Sequence, residues 1–137
     1  MLEAYFGELN MRTTQIFLCL QALGLIGLGL AYFIRPHEMT NLTGMLLLAQ
    51  AAITDVRAYY GGLQIGLGIF LLLACRQAEL TRGALILLVM IYSALGLARI
   101  GGLWLDGGFE QTFNLTALLI EVVSAALALW LLRRLPN

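Results

Sequence analysis

Long apolar stretches, broken by short clusters of polar and helix-breaking residues, dominate the pattern along the chain. Four of them approach the roughly 20 residues needed to cross a hydrocarbon core about 30 Å thick. They run approximately over 14–34, 56–75, 83–105 and 113–132. The breakers between them are specific. Arg35-Pro36 ends the first span, because proline cannot continue a helix and restricts the residue before it. Asp55 is placed to cap the second, Gly107-Gly108 to stop the third, and Thr112 or Asn114 to start the fourth. The first span is too long, and its N-terminal flank too acidic, for a cleaved signal, so it is expected to be retained.

These elements predict an all-α fold. A single domain over 1–137 forms an integral-membrane four-helix bundle, with antiparallel neighbours joined by short connections. Residues 36–55 do not fit a minimal bundle. Their apolar run Met45-Leu46-Leu47-Leu48-Ala49 is too short to span, and the expectation is a short amphipathic interfacial segment between the first two spans. A re-entrant segment is the alternative, less favoured because its backbone would need protein or water around it.

Composition sharpens the picture. The chain is 61% hydrophobic and only 12% charged, with eight acids and eight basic residues, all of the latter arginine. A soluble domain carries about twice that charged share. Zero net charge without an Arg/Lys tract argues against nucleic acid as a partner. Arg12, Arg76, Arg82, Arg133 and Arg134 fall on one side of the four spans, and Arg35 on the other. By the positive-inside rule both termini are expected to be cytoplasmic. Trp104, Tyr32 and Phe109 then read as an outer aromatic belt.

Charges inside a span are costly, and each is a site hypothesis by default. Arg99 lies roughly 9 Å below the outer end of the third span, and Glu121 roughly 12 Å below the outer start of the fourth, counting about 1.5 Å per residue. Opposite ions at matching depth on neighbouring helices should pair, since each would otherwise be uncompensated. Helical spacing extends a polar stripe through Tyr92, Gly96, Arg99, Gly102 and Asp106, and another through Asn114, Glu121 and Ser124. Arg57, Gly61, Gln64 and Gly68 form a third, with Tyr60 beside it. The candidate cluster is therefore Arg57, Tyr60, Gln64, Arg99, Asp106 and Glu121. One reading makes it a structural lock, with Arg99 on Glu121 and Arg57 tied to Asp55 or Asp106. The other makes it an outward pocket whose arginines hold a lipid phosphate or a carboxylate. The lock is favoured, because its formal charges balance without a ligand.

Small residues allow close helix approach in lipid. Gly61, Gly62, Gly66, Gly68 and Gly96 are the expected packing positions, with Gly62 and Gly66 forming a G-x-x-x-G pair. Ile26-Gly27-Leu28-Gly29 recurs as Ile65-Gly66-Leu67-Gly68, an echo that chance explains as well as duplication. Cys19 and Cys75 lack C-x-x-C spacing and read as reduced packing residues. His37 is the only histidine, so no multi-histidine metal site exists within one chain, although a ring of His37 and Glu38 in an oligomer is conceivable. No catalytic motif, metal site or cofactor is expected.

The segment Asp55-Val56-Arg57-Ala58-Tyr59-Tyr60-Gly61-Gly62-Leu63-Gln64-Ile65-Gly66-Leu67-Gly68, with Gly96-Leu97-Ala98-Arg99, Asp106-Gly107 and Glu121, resembles a bacterial family of small four-helix inner-membrane proteins of unknown function, the AciT-like proteins. The resemblance covers most of the chain. It implies a four-helix protomer in a bacterial inner membrane and a homo-oligomer, a trimer favoured, and it brings no reaction or substrate. The functional expectation is a non-enzymatic, multi-pass protein that binds or organises membrane lipids. The alternative is a small proton-coupled transporter or channel in which Glu121 titrates.

Overall fold

A computed structural model describes residues 2–108 and 110–135, with side chains from residue 7 onward. The expected belt position of Phe109 lies outside the described residues. The described residues form five helices: α1 (Leu2–Ile34), α2 (Pro36–Asn41), α3 (Gln50–Arg76), α4 (Ala78–Asp106) and α5 (Thr112–Arg134). No strand occurs among the described residues. Four of the helices, all but α2, are long and apolar enough to cross a membrane, as expected of a multi-pass membrane protein.

The spans are longer than their apolar cores. α1 begins twelve residues before Thr14 because nothing from Leu2 onward breaks a helix except Gly7, which alone costs only about 1 kcal/mol. Thr13 and Thr14 return their hydroxyl donors to the carbonyls of Leu9 and Asn10, both at 2.8 Å, so neither is left dangling in an apolar setting. α3 starts at Gln50, and Asp55 is therefore an interior residue rather than the cap. Ala51-Ala52-Ile53 propagate helix readily, and the extended Ala49 (φ −131°, ψ 152°) precedes the first turn.

The third and fourth boundaries fall where the breakers place them. α4 stops at Asp106, where Gly107 takes φ +64°, a left-handed conformation that glycine accepts without penalty. α5 opens at Thr112. Between α2 and α3, Gly44 turns the chain with φ +75°. The run 45–49 is not helical. Leu46 and Leu48 stand 73% and 91% exposed on it. With Gly44 turning the chain and Ala49 extended, too few residues remain there for a cooperative helical turn.

The chain divides into two compact units. One comprises Met1–Thr14 and Glu79–Asn137, the other Gln15–Ala78. In the first, α4 and α5 run antiparallel. The buried positions Ala84, Leu85, Leu88, Gly96 and Leu103 of α4 belong to this core, with Glu121, Ser124, Ala128 and Leu131 of α5. The α5 set repeats at three and four residues, the spacing of a narrow helix-packing stripe.

The second unit is built on an antiparallel seam between α1 and α3. A Cβ placed on Gly61 would lie 3.1 Å from Phe33 Cβ and 3.2 Å from the Gly29 carbonyl. One placed on Gly29 would lie 2.8 Å from the Gly61 carbonyl, and one on Gly68 would lie 2.9 Å from the Ala22 carbonyl. Seven residues further on, Cys75 meets Cys19. The seam thus uses small residues at heptad spacing, Gly61, Gly68 and Cys75, against Ala22 and Gly29, themselves seven apart. The G-x-x-x-G pair lies outside this seam. Gly62 and Gly66 are exposed, and a Cβ on Gly66 would meet nothing within 4 Å. Tyr32, expected in the aromatic belt, is 7% exposed and packs its ring on Tyr60, whereas Trp104 is 78% exposed.

Candidate functional site

The candidate residues fall into both units, Arg99, Asp106 and Glu121 in the first and Arg57, Tyr60 and Gln64 in the second. In the first, the expected ion pair is present. Arg99 Nη2 donates to Glu121 Oε1 at 2.7 Å, and Nε donates to both carboxylate oxygens at 3.1 and 3.2 Å. The Glu121 side chain is 8% exposed and that of Arg99 24%. Gly96, one turn before Arg99, faces α5, where Leu118 lies 3.7 Å from the position a Cβ would take. A planar fork meeting a carboxylate along one edge is the geometry for which arginine, rather than lysine, is suited.

Two residues join the pair. Arg99 Nη1 donates to Asn114 Oδ1 at 2.5 Å, and Asn114 Nδ2 donates to Gln111 Oε1. Asn114 shares the face of Glu121 two turns earlier, so helical spacing already pointed to it. Gln111 was not anticipated. It precedes the first turn of α5, where its side chain reaches Asn114 instead of capping backbone N–H groups. Beside this network lies a groove of about 270 Å³, walled by Arg99, Asp106, Gln111 and Asn114 and by Leu95 and Leu103. Asp106 is exposed on its rim. A second groove of about 310 Å³, between Tyr92, Ser93 and Gly96 on α4 and Val122 and Ala125 on α5, is largely apolar.

In the second unit Arg57 does not pair with Asp55, and no such ion pair occurs among the described residues. Arg57 Nε donates instead to the Phe33 carbonyl at 3.0 Å. The reason lies in how α1 ends. Arg35 leaves helical geometry (φ −126°, ψ 59°) and Pro36 has no N–H, so the last carbonyls of α1 lack intrahelical donors. A cation there also meets the negative end of the helix dipole. The guanidinium is exposed, and its two terminal nitrogens make no hydrogen bond among the described residues.

Arg57 also opens a π-helical segment, Arg57–Gly62, within α3. Such wide turns are rare and frequent at functional sites. This one carries the whole Arg-Ala-Tyr-Tyr-Gly-Gly sequence, holding Gly61 against α1 while Tyr60 stacks on Tyr32 with centroids 5.2 Å apart. Gln64, one turn further, has a buried Oε1 with no hydrogen-bond partner among the described residues. An acceptor in that state costs on the order of 1–3 kcal/mol.

Comparison with protein families matches residues 13–132 to a domain of unknown function, DUF4345. No curated protein and no solved structure matches the chain.

Proposed function

We propose that this chain, which belongs to the DUF4345 family, is a non-enzymatic bacterial inner-membrane protein that assembles into homo-oligomers, a trimer favoured, and binds anionic lipid. The observation that carries the reading is the posture of Arg57. One nitrogen is committed to the Phe33 carbonyl, and the other two are presented outward as a fork. That fork suits a phosphate, which accepts two parallel N–H bonds.

The surroundings fit a membrane boundary. Tyr59 and Tyr60 are 66% and 41% exposed beside Arg57, as interfacial tyrosines are. Ile34 at the end of α1, and Leu46 and Leu48 in the connection to α3, present exposed apolar side chains. Oligomer contacts are supported by the resemblance to AciT-like proteins and by the open glycines Gly24, Gly27 and Gly66, where another helix could approach closely. The proton-carrier alternative finds less support, because Glu121 already accepts through both oxygens from Arg99. Orientation with both termini cytoplasmic rests on the arginine distribution.

Native mass spectrometry of the protein released from membranes tests this. Phosphatidylglycerol or cardiolipin should remain on the oligomer, with occupancy falling about tenfold in Arg57→Ala, equivalent to about 1.4 kcal/mol. Arg57→Lys should retain part of it, as a point charge without the fork. A lipid-free oligomer, or occupancy unchanged in Arg57→Ala, would overturn the reading.

A further inference from the structure

The two cysteines, 56 residues apart in sequence, are brought together by the α1–α3 seam. Cys19 Sγ donates to Cys75 Sγ at 2.8 Å, and Cys75 Sγ donates to the Gln15 carbonyl at 3.5 Å. Both are free thiols and half-buried. The sulfurs need approach by less than about 1 Å to reach the roughly 2.05 Å of a disulfide. Their helices are already held in register by Gly68 against Ala22 and Gly61 against Gly29.

We propose that Cys19 and Cys75 are a redox-active dithiol that closes to an intramolecular disulfide when an apolar hydroperoxide, of the kind formed on oxidised lipid acyl chains, reaches the seam. The class of oxidant follows from the surroundings. The neighbouring residues Leu18, Ala22, Leu71 and Ala74 are buried and apolar, which favours an oxidant that dissolves in hydrocarbon over a charged one. Cys75 is one residue from the end of α3, beside the exposed Arg76, where water can take up the displaced proton.

The reaction balances in two steps. The Cys19 sulfur, deprotonated to water, attacks the terminal oxygen of the hydroperoxide. The O–O bond breaks, and the departing alkoxide takes up a proton as the alcohol, leaving a sulfenic acid. The Cys75 sulfur then attacks Cys19 Sγ, the S–O bond breaks, and water leaves with the Cys75 proton. Two thiols and one hydroperoxide thus yield one disulfide, one alcohol and one water. The hydroperoxide is reduced by two electrons.

The test uses the full-length protein in detergent, with cumene hydroperoxide as the apolar oxidant, followed by denaturation and alkylation with a maleimide. Reduced protein should take two labels. Oxidised protein should take none, weigh 2 Da less by the balance above, and recover both labels after dithiothreitol. A peptide joining Cys19 to Cys75 should appear, and its bond should raise the unfolding temperature, because it ties two helices across a long loop. Cys19→Ser and Cys75→Ser should show no such rise. Retention of both labels, oxygen additions without the 2 Da loss, or disulfide-linked dimers in place of the internal bond would overturn the proposal.

Discussion

Replacement of Glu121 by leucine is expected to destabilise the protein by about 3–5 kcal/mol, the usual consequence of leaving one member of a buried pair behind. Arg99 would retain its charge, since a guanidinium cannot be deprotonated in a protein. Asn114 would still accept from Arg99 Nη1. Arg99→Leu should also destabilise, because it leaves the buried Glu121 side chain without its Arg99 partner. The double variant Arg99→Leu/Glu121→Leu should recover most of the loss, as apolar replacements of whole buried pairs often do. Reversible unfolding in mixed micelles would give the four free energies of the cycle and the coupling between the two sites. A double variant no more stable than the worse single variant would remove the structural reading of the pair.

The second large effect separates two glycines two residues apart on α3. Gly68→Ala places a methyl 2.5 Å from Ile26 Cγ1 and 2.9 Å from the Ala22 carbonyl, and the carbonyl is backbone that cannot swing aside. The helices must separate, at an expected cost of about 1–3 kcal/mol. Gly66→Ala meets open space, and the better helix propensity of alanine should leave stability unchanged or raise it by up to about 1 kcal/mol. The same unfolding experiment decides it. Equal losses at both positions would show that the seam does not run through Gly68.

What the sequence made legible follows from which interactions leave a mark in residue letters. The Arg99/Glu121 pair was readable because two opposite charges at one depth in lipid have few alternatives. The spans and the breakers at Pro36 and Gly107 were readable for equally general reasons. Helix starts were less so. Gln50 and Leu2 begin helices because nothing stops propagation, and an absence of breakers is a weaker signal than a cap. The partner of Arg57 was hidden because a backbone carbonyl, here that of Phe33, has no letter of its own. The π-helical turn was hidden too, since Tyr-Tyr-Gly-Gly fits an ordinary helix and becomes wide only against α1.

The glycine and cysteine positions teach a narrower lesson. Spacing by four drew the eye to Gly62 and Gly66, whereas the helices meet through positions seven apart. The C-x-x-C ruler applies to two thiols within one turn of backbone, and it says nothing about Cys19 and Cys75 on antiparallel helices.

The α1–α3 seam carries a polar contact at each of its two ends, where Arg57 meets the Phe33 carbonyl and Cys75 meets Cys19 and the Gln15 carbonyl. Counted along either helix at about 1.5 Å per residue, these ends are about 21–27 Å apart. That is slightly less than a typical hydrocarbon thickness of about 30 Å. The polar ends of the hairpin therefore lie within the length of a single apolar span. Lengthening the acyl chains around it would draw its polar ends into oil, so hydrophobic mismatch should be felt first at Arg57 and at the thiols.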